Sequence, residues 1–252
     1  MTYLARLLIL VAVVLGPLFV HHAGATLIFD KVQDLTGTGL GAVNTVLTIT
    51  SPENSTSEKG CVGRIAGCAG GVLDSTPSDT GRVIGGTLGG NEFTGDSQTK
   101  TILGSTLSSN LASNLRIVFN PSEPGNAGQQ NITLDDLRVT IYNADGSVQF
   151  SSGALPAAIP FADATGGVGQ AGFFFKLDAT QAAAAGTIAA TDRIGLSTSI
   201  SNAQGAPETF FVTSVSSGGS GPGTGAIPEP GTLLLLGSGL AGVAAVRRWI
   251  RC

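Results

Sequence analysis

The sequence predicts an all-β fold: a β-sandwich or jelly-roll-like domain with one short helix, flanked by an N-terminal signal peptide and a C-terminal transmembrane helix. Three observations carry this prediction. Short segments rich in Val, Ile, Thr and Phe alternate apolar and polar residues with a period of two. Glycine- and asparagine-rich turns separate them, drawing on 37 glycines in 252 residues. A single stretch, residues 178–185, has the composition of a helix.

The elements follow in order. Arg6 precedes an apolar stretch at 7–20, and Ala23, Gly24 and Ala25 fit a small-x-small cleavage pattern. Residues 1–25 therefore read as a secretory signal peptide cut after Ala25. The alternative, an N-terminal anchor, is disfavoured by the short stretch and by Pro17 within it. The domain is assigned to residues 26–215. Residues 26–32 and 43–50 alternate as strands, with a glycine-rich turn at 36–41 between them. Residues 51–98 read mostly as loop, with strand pieces near 81–84 and 92–94. Such a long loop needs a staple or a function. Residues 115–119 form a strand ended by Asn120 and Pro121. Residues 132–142 continue with Leu134, Leu137, Val139 and Ile141 as apolar positions; a turn at 143–146 and a return at 147–150 complete a hairpin. Residues 172–177, 193–200 and 208–215 supply the remaining strands. The helix has Asp178 as its N-cap, an alanine run, and Gly186 as its stop. Residues 216–226, rich in Gly and Ser, are a flexible linker.

Composition excludes several classes of function. Between Thr26 and Ala226 there are nine Lys plus Arg and sixteen Asp plus Glu, a net charge near −7. Such a body argues against nucleic acid and anionic membrane surfaces as partners. The only histidines, His21 and His22, lie in the signal peptide, and the only tryptophan, Trp249, lies in the tail. The mature body thus has no imidazole for a Ser-His-Asp triad, a Cys-His pair or a His-ligated metal. Paired carboxylates, a Ser-Lys arrangement or an oxygen-ligated metal remain. Cys61 and Cys68, with six residues between them in a glycine-rich segment, read as a structural disulfide in an exported protein. A redox-active pair normally has two intervening residues at a helix N-terminus.

The last residues, 227–252, contain Pro228-Glu229-Pro230, an apolar run at 232–246, and the basic stop Arg247, Arg248 and Arg251. This tripartite tail resembles the PEP-CTERM signal of bacterial exported proteins. That resemblance implies a membrane sorting enzyme, an exosortase, as partner, and a Gram-negative source. The positive-inside rule keeps the three arginines cytoplasmic. The apolar segment of about 16 residues spans roughly 24 Å, short of a hydrocarbon core of roughly 30 Å. It suits a transient stop at the inner membrane; a retained anchor is the alternative. Segments 34–44, 137–143, 193–196 and 207–211 also resemble parts of exosortase-dependent surface proteins. Those proteins share a sorting route rather than one activity, so no catalytic residue is carried over.

Remaining motifs are read conservatively. Residues 37–42 match G-x-G-x-x-A, but a strand pattern follows where a dinucleotide site needs a helix. Asp135, Asp136 and Asp145 suggest calcium, whereas the turn at 143–146 explains Asp145 more simply. The expectation is a non-enzymatic structural or adhesive protein without cofactor, displayed at the envelope or released into extracellular polysaccharide. A lectin-like carbohydrate-binding module is the alternative. A calcium-dependent or carboxylate-based hydrolase is a third reading.

Overall fold

The computed structural model describes residues 26–34, 44–51, 55–64, 68, 71–76, 78–121, 132–161, 171–203 and 206–215. In chain order these form β1 (Leu27–Asp34), β2 (Asn44–Ile49), β3 (Ser57–Gly63), β4 (Val72–Thr76), β5 (Asp79–Ile84), β6 (Ile102–Leu103), β7 (Leu115–Asn120), β8 (Ile132–Tyr142), β9 (Val148–Ser151), β10 (Ile159–Phe161), β11 (Ala171–Leu177), α1 (Ala179–Ala185), β12 (Arg193–Ser201) and β13 (Glu208–Ser214). The first sheet has the order β1-β11-β7-β13-β2. The second has the order β10-β8-β12-β3-β5-β4, with β6 beside β12 and β9 beside β8. Paired strands in both sheets run antiparallel.

Both sheets contribute to one core. Leu47, Ile117, Phe119 and Phe210 from the first sheet cluster with Val62, Leu137, Val139 and Leu196 from the second. Phenylalanine rings join the layers. Phe161 on β10 lies 4.1 Å from Phe173, 5.7 Å from Phe119 and 6.1 Å from Phe29, centroid to centroid. Phe119 also stacks on Phe210 at 4.8 Å. Such aromatic pairs add roughly 0.5–1.5 kcal/mol each beyond their buried area.

Local sequence explains the long strand β8. Its apolar residues are two apart except at Leu134 and Leu137. The register against β12 shifts at this point, with Ser199 opposite Asp136 and Ile200 opposite Leu134. This is a β-bulge: one extra residue lets Leu134 and Leu137 both reach the core. The hairpin to β9 closes as the sequence predicts. Asn143 N–H donates to Ser147 O, Gly146 adopts φ 88, and Asp145 Oδ1 accepts from Ser147 N–H at 2.9 Å. Helix α1 also matches. Asp178 Oδ1 accepts from Gln181 N–H at 2.8 Å, and Gly186 ends the helix at φ 65. The helix carries the chain from β11 in the first sheet to β12 in the second.

One expectation is corrected. Residues 51–98 lie mostly outside strands, and β5 covers the piece expected near 81–84, but β3 and β4 are strands that the sequence reading lacks. The alternating signal fails because the buried positions of β3 include Glu58 and Gly60 beside Val62. Glycine is required at position 60, since a Cβ there would lie 2.1 Å from Ile49 Cγ2. Near 92–94 the structure has a single bridge, Ile49 to Glu92. The segments expected to form the signal peptide (1–25), the glycine-rich turn (36–41), the linker (216–226) and the tail lie outside the described residues. Among the described residues, no helix is long and apolar enough to cross a membrane.

Candidate functional site

The segment read as loop holds the densest set of buried charges. Asp79, at the start of β5, is 1 % exposed. Its carboxylate accepts from Thr101 N–H at 2.7 Å, from Thr101 Oγ1 at 2.7 Å, and from Arg193 Nη1 at 2.6 Å. Arg64 Nη1 stands 3.6 Å away. Three residues on, Arg82 is fully buried. It donates to Asp74 Oδ2 at 2.6 Å, to Asp96 Oδ1 at 2.8 Å and to Thr99 O. Gly81, at φ 78, lies between them where the β4–β5 register shifts. The extra residue allows Asp79 and Arg82 both to be buried despite odd spacing.

These pairs are a framework rather than a reaction centre. The Asp79 carboxylate is taken up by a guanidinium, a hydroxyl and an amide, so it offers no free base. Buried ion pairs contribute little net stability against an apolar replacement, yet losing one partner is strongly destabilising. Here they fix residues 78–101 against β12, which is distant in sequence.

The result of that fixing is a cleft of about 460 Å³. Asn44, Ser78, Asp96, Ser97, Lys100, Thr101, Ile102, Leu103, Thr106 and Arg193 line it. Its size lies within the range of roughly 300–1,000 Å³ typical of small-ligand pockets. A smaller hollow of about 100 Å³ lies among Lys59, Thr87, Leu88, Asp136 and residues 197–199.

Behind the charge network, Cys61 and Cys68 are joined, with Cα atoms 5.8 Å apart. Both are buried against Val83. Gly71 N–H donates to Cys68 O at 2.8 Å, so the bridge ties β3 to the entry of β4.

Other residues singled out by sequence do not converge. Asp136 accepts from Arg138 Nε at 2.8 Å and from Leu155 N–H at 2.9 Å, while Asp135 accepts from Ser201 Oγ at 3.0 Å. Asp145 serves its own turn, and its Ser147 hydrogen bonds hold its carboxyl below the ordinary carboxylate range. Among the described residues, no group of three or more His, Cys, Asp or Glu could hold a metal ion. Pro228, Glu229, Pro230, Arg247, Arg248, Arg251, Ala23 and Ala25 lie outside the described residues. The cleft residues had escaped the sequence reading. The buried ion pairs beside the cleft left one local signal, a charged residue, Arg82, next to the apolar pair Val83 and Ile84.

The described part is thus a two-sheet antiparallel β domain, disulfide-stapled, with a cleft of mixed polar and apolar lining. Its tail places it on a route: residues 226–248 match the PEP-CTERM protein-sorting motif. That motif implies an exosortase as sorting partner and export to the cell surface. No curated protein and no solved structure shows significant similarity to the chain.

Proposed function

We propose that this is a non-enzymatic surface protein, structural or adhesive, built on a β-sandwich of jelly-roll type. The observation that carries the reading is the sorting motif at 226–248. The signal peptide directs residues 26–226 outward, the tail halts transiently in the inner membrane of a Gram-negative cell, and the sorting enzyme cuts near Pro228-Glu229-Pro230. The product is displayed at the envelope or released into extracellular polysaccharide. A body without histidine, in which the buried Asp79 carboxylate is fully engaged by donors, supports a non-catalytic role. The test is the C-terminal mass of the protein recovered from host cells, with and without the sorting enzyme. Loss of Arg247 to Cys252 only when the enzyme is present supports the reading. A retained tail in both would replace it with a permanent anchor. Turnover on a panel of glycoside and peptide substrates would defeat the non-enzymatic reading. The cleft favours a second reading, a carbohydrate-binding module.

A further inference from the structure

We propose that the cleft between β2, β6 and β12 binds a carboxylate-bearing sugar, a uronic acid unit of an acidic glycan. This deepens the carbohydrate-binding reading and rests on it.

The argument starts from which donors are spent. Arg193 is 18 % exposed, and its Nη1 is held by Asp79 at 2.6 Å and Thr101 Oγ1 at 3.1 Å. Its Nη2 reaches only Ser78 O, at 3.5 Å, the outer limit of a hydrogen bond. The guanidinium is therefore locked in place while Nη2 keeps donor capacity to offer. Such a fixed, charged donor suits a carboxylate and loses little freedom on binding. Lys100, half-buried on the same cleft, has its backbone N–H fixed on Val46 O at 3.0 Å. Its ammonium has no ion pair among the described residues. The Asn44 side-chain amide is likewise unengaged among them.

Around the cleft, cations outnumber carboxylates. Arg64, Arg82, Lys100 and Arg193 are four of the body's nine basic residues, set against Asp74, Asp79 and Asp96. The surrounding body is net acidic. Asp96 on the cleft wall is offset by Arg82 at 2.8 Å and accepts from Ser78 Oγ. The rest of the lining is hydroxyl and aliphatic: Ser97, Thr101 and Thr106 with Ile102 and Leu103. A bare inorganic anion needs far less room than 460 Å³. A ligand with one carboxylate and several hydroxyls uses both the cations and the remaining space.

The experiment is calorimetric titration of the protein recovered from its host, in EDTA. The probes are trigalacturonate, the matching neutral galactose trisaccharide, and inorganic phosphate. The expected result is one-to-one binding of trigalacturonate only. Lys100→Ala should weaken it about tenfold or more, the worth of a charge-assisted hydrogen bond. Lys100→Arg should largely restore binding, and Asn44→Ala should weaken it severalfold. Lys59→Ala, the same charge change outside the cleft, should alter affinity less than twofold. Four results would overturn the proposal: no uronate binding, equal binding of the neutral trisaccharide, equal binding of phosphate, or equal loss in Lys59→Ala. A failure here leaves the sorting reading intact, because C-terminal processing is measured separately.

Discussion

Gly60→Ala tests how closely the two sheets approach. The new Cβ would lie 2.1 Å from Ile49 Cγ2 and 3.2 and 3.3 Å from the Leu47 methyls. Both neighbours are fully buried and cannot swing into solvent. Overpacking a filled core costs ~1–3 kcal/mol, and a contact this short falls at the upper end. Replacing glycine within a strand returns ~0.5–1 kcal/mol. The steric term wins, with a net loss of ~2 kcal/mol. For a domain of about 150–250 residues, each kcal/mol shifts Tm by roughly 2–4 °C, so the fall should be roughly 4–8 °C. Thermal melting followed by circular dichroism reads it directly. Ile49→Leu is the partner variant, because it removes Cγ2 while keeping volume, at under ~1.5 kcal/mol alone. In the double variant most of the clash should vanish, giving a coupling of about 1 kcal/mol or more. Melting of Gly60→Ala at or above the parent temperature would refute the reasoning. So would strict additivity of the two changes.

Three further outcomes follow from the same structure. Free-thiol titration of the folded, unreduced mature protein should give about zero, and Cys61→Ser with Cys68→Ser should cost ~2–3 kcal/mol for so short a loop; two reactive thiols in the parent would contradict the bridge. Burial raises the pKa of Asp30, but the Lys176 hydrogen bond and the Arg116 charge outweigh it and hold the carboxyl below the usual 3.8. A depressed folded-state value stabilises above the unfolded pKa and is lost as pH falls through the folded one. Asp30→Asn should therefore lower Tm at pH 6, by on the order of 1 kcal/mol of stability, and the difference should shrink as pH falls below 3.8; a difference independent of pH would remove the ion-pair explanation. Calcium should leave the melting temperature where EDTA leaves it, since Asp135, Asp136 and Asp145 bond to different protein groups; an upward shift of many degrees would revive the calcium-dependent reading.

What was legible in the sequence follows a physical division. Where a strand faces the core with one side, alternation shows through, as in β13, whose residues alternate between buried and half-buried. Even the irregular spacing of Leu134 and Leu137 had structural content, since a bulge is the way a strand brings apolar residues three apart to one face. The helix was legible because Asp178 and Gly186 act within a few residues of where they stand. Within 51–98, β3 and β4 escaped for the complementary reason. Those strands are specified by long-range terms: a glycine admitted by Ile49, a disulfide, and buried ion pairs. None leaves a periodic trace. The cleft lies beyond local reading altogether. Asp79 and Arg193 are 114 residues apart, and Thr101 meets Asp79 across 22. The sorting motif lies at the other extreme, complete in one short stretch at 226–248. A linear signal is read by another protein as sequence and so is visible as sequence. A binding cleft exists only once the chain has folded, and its donors become identifiable only when the structure shows which of them are already spent.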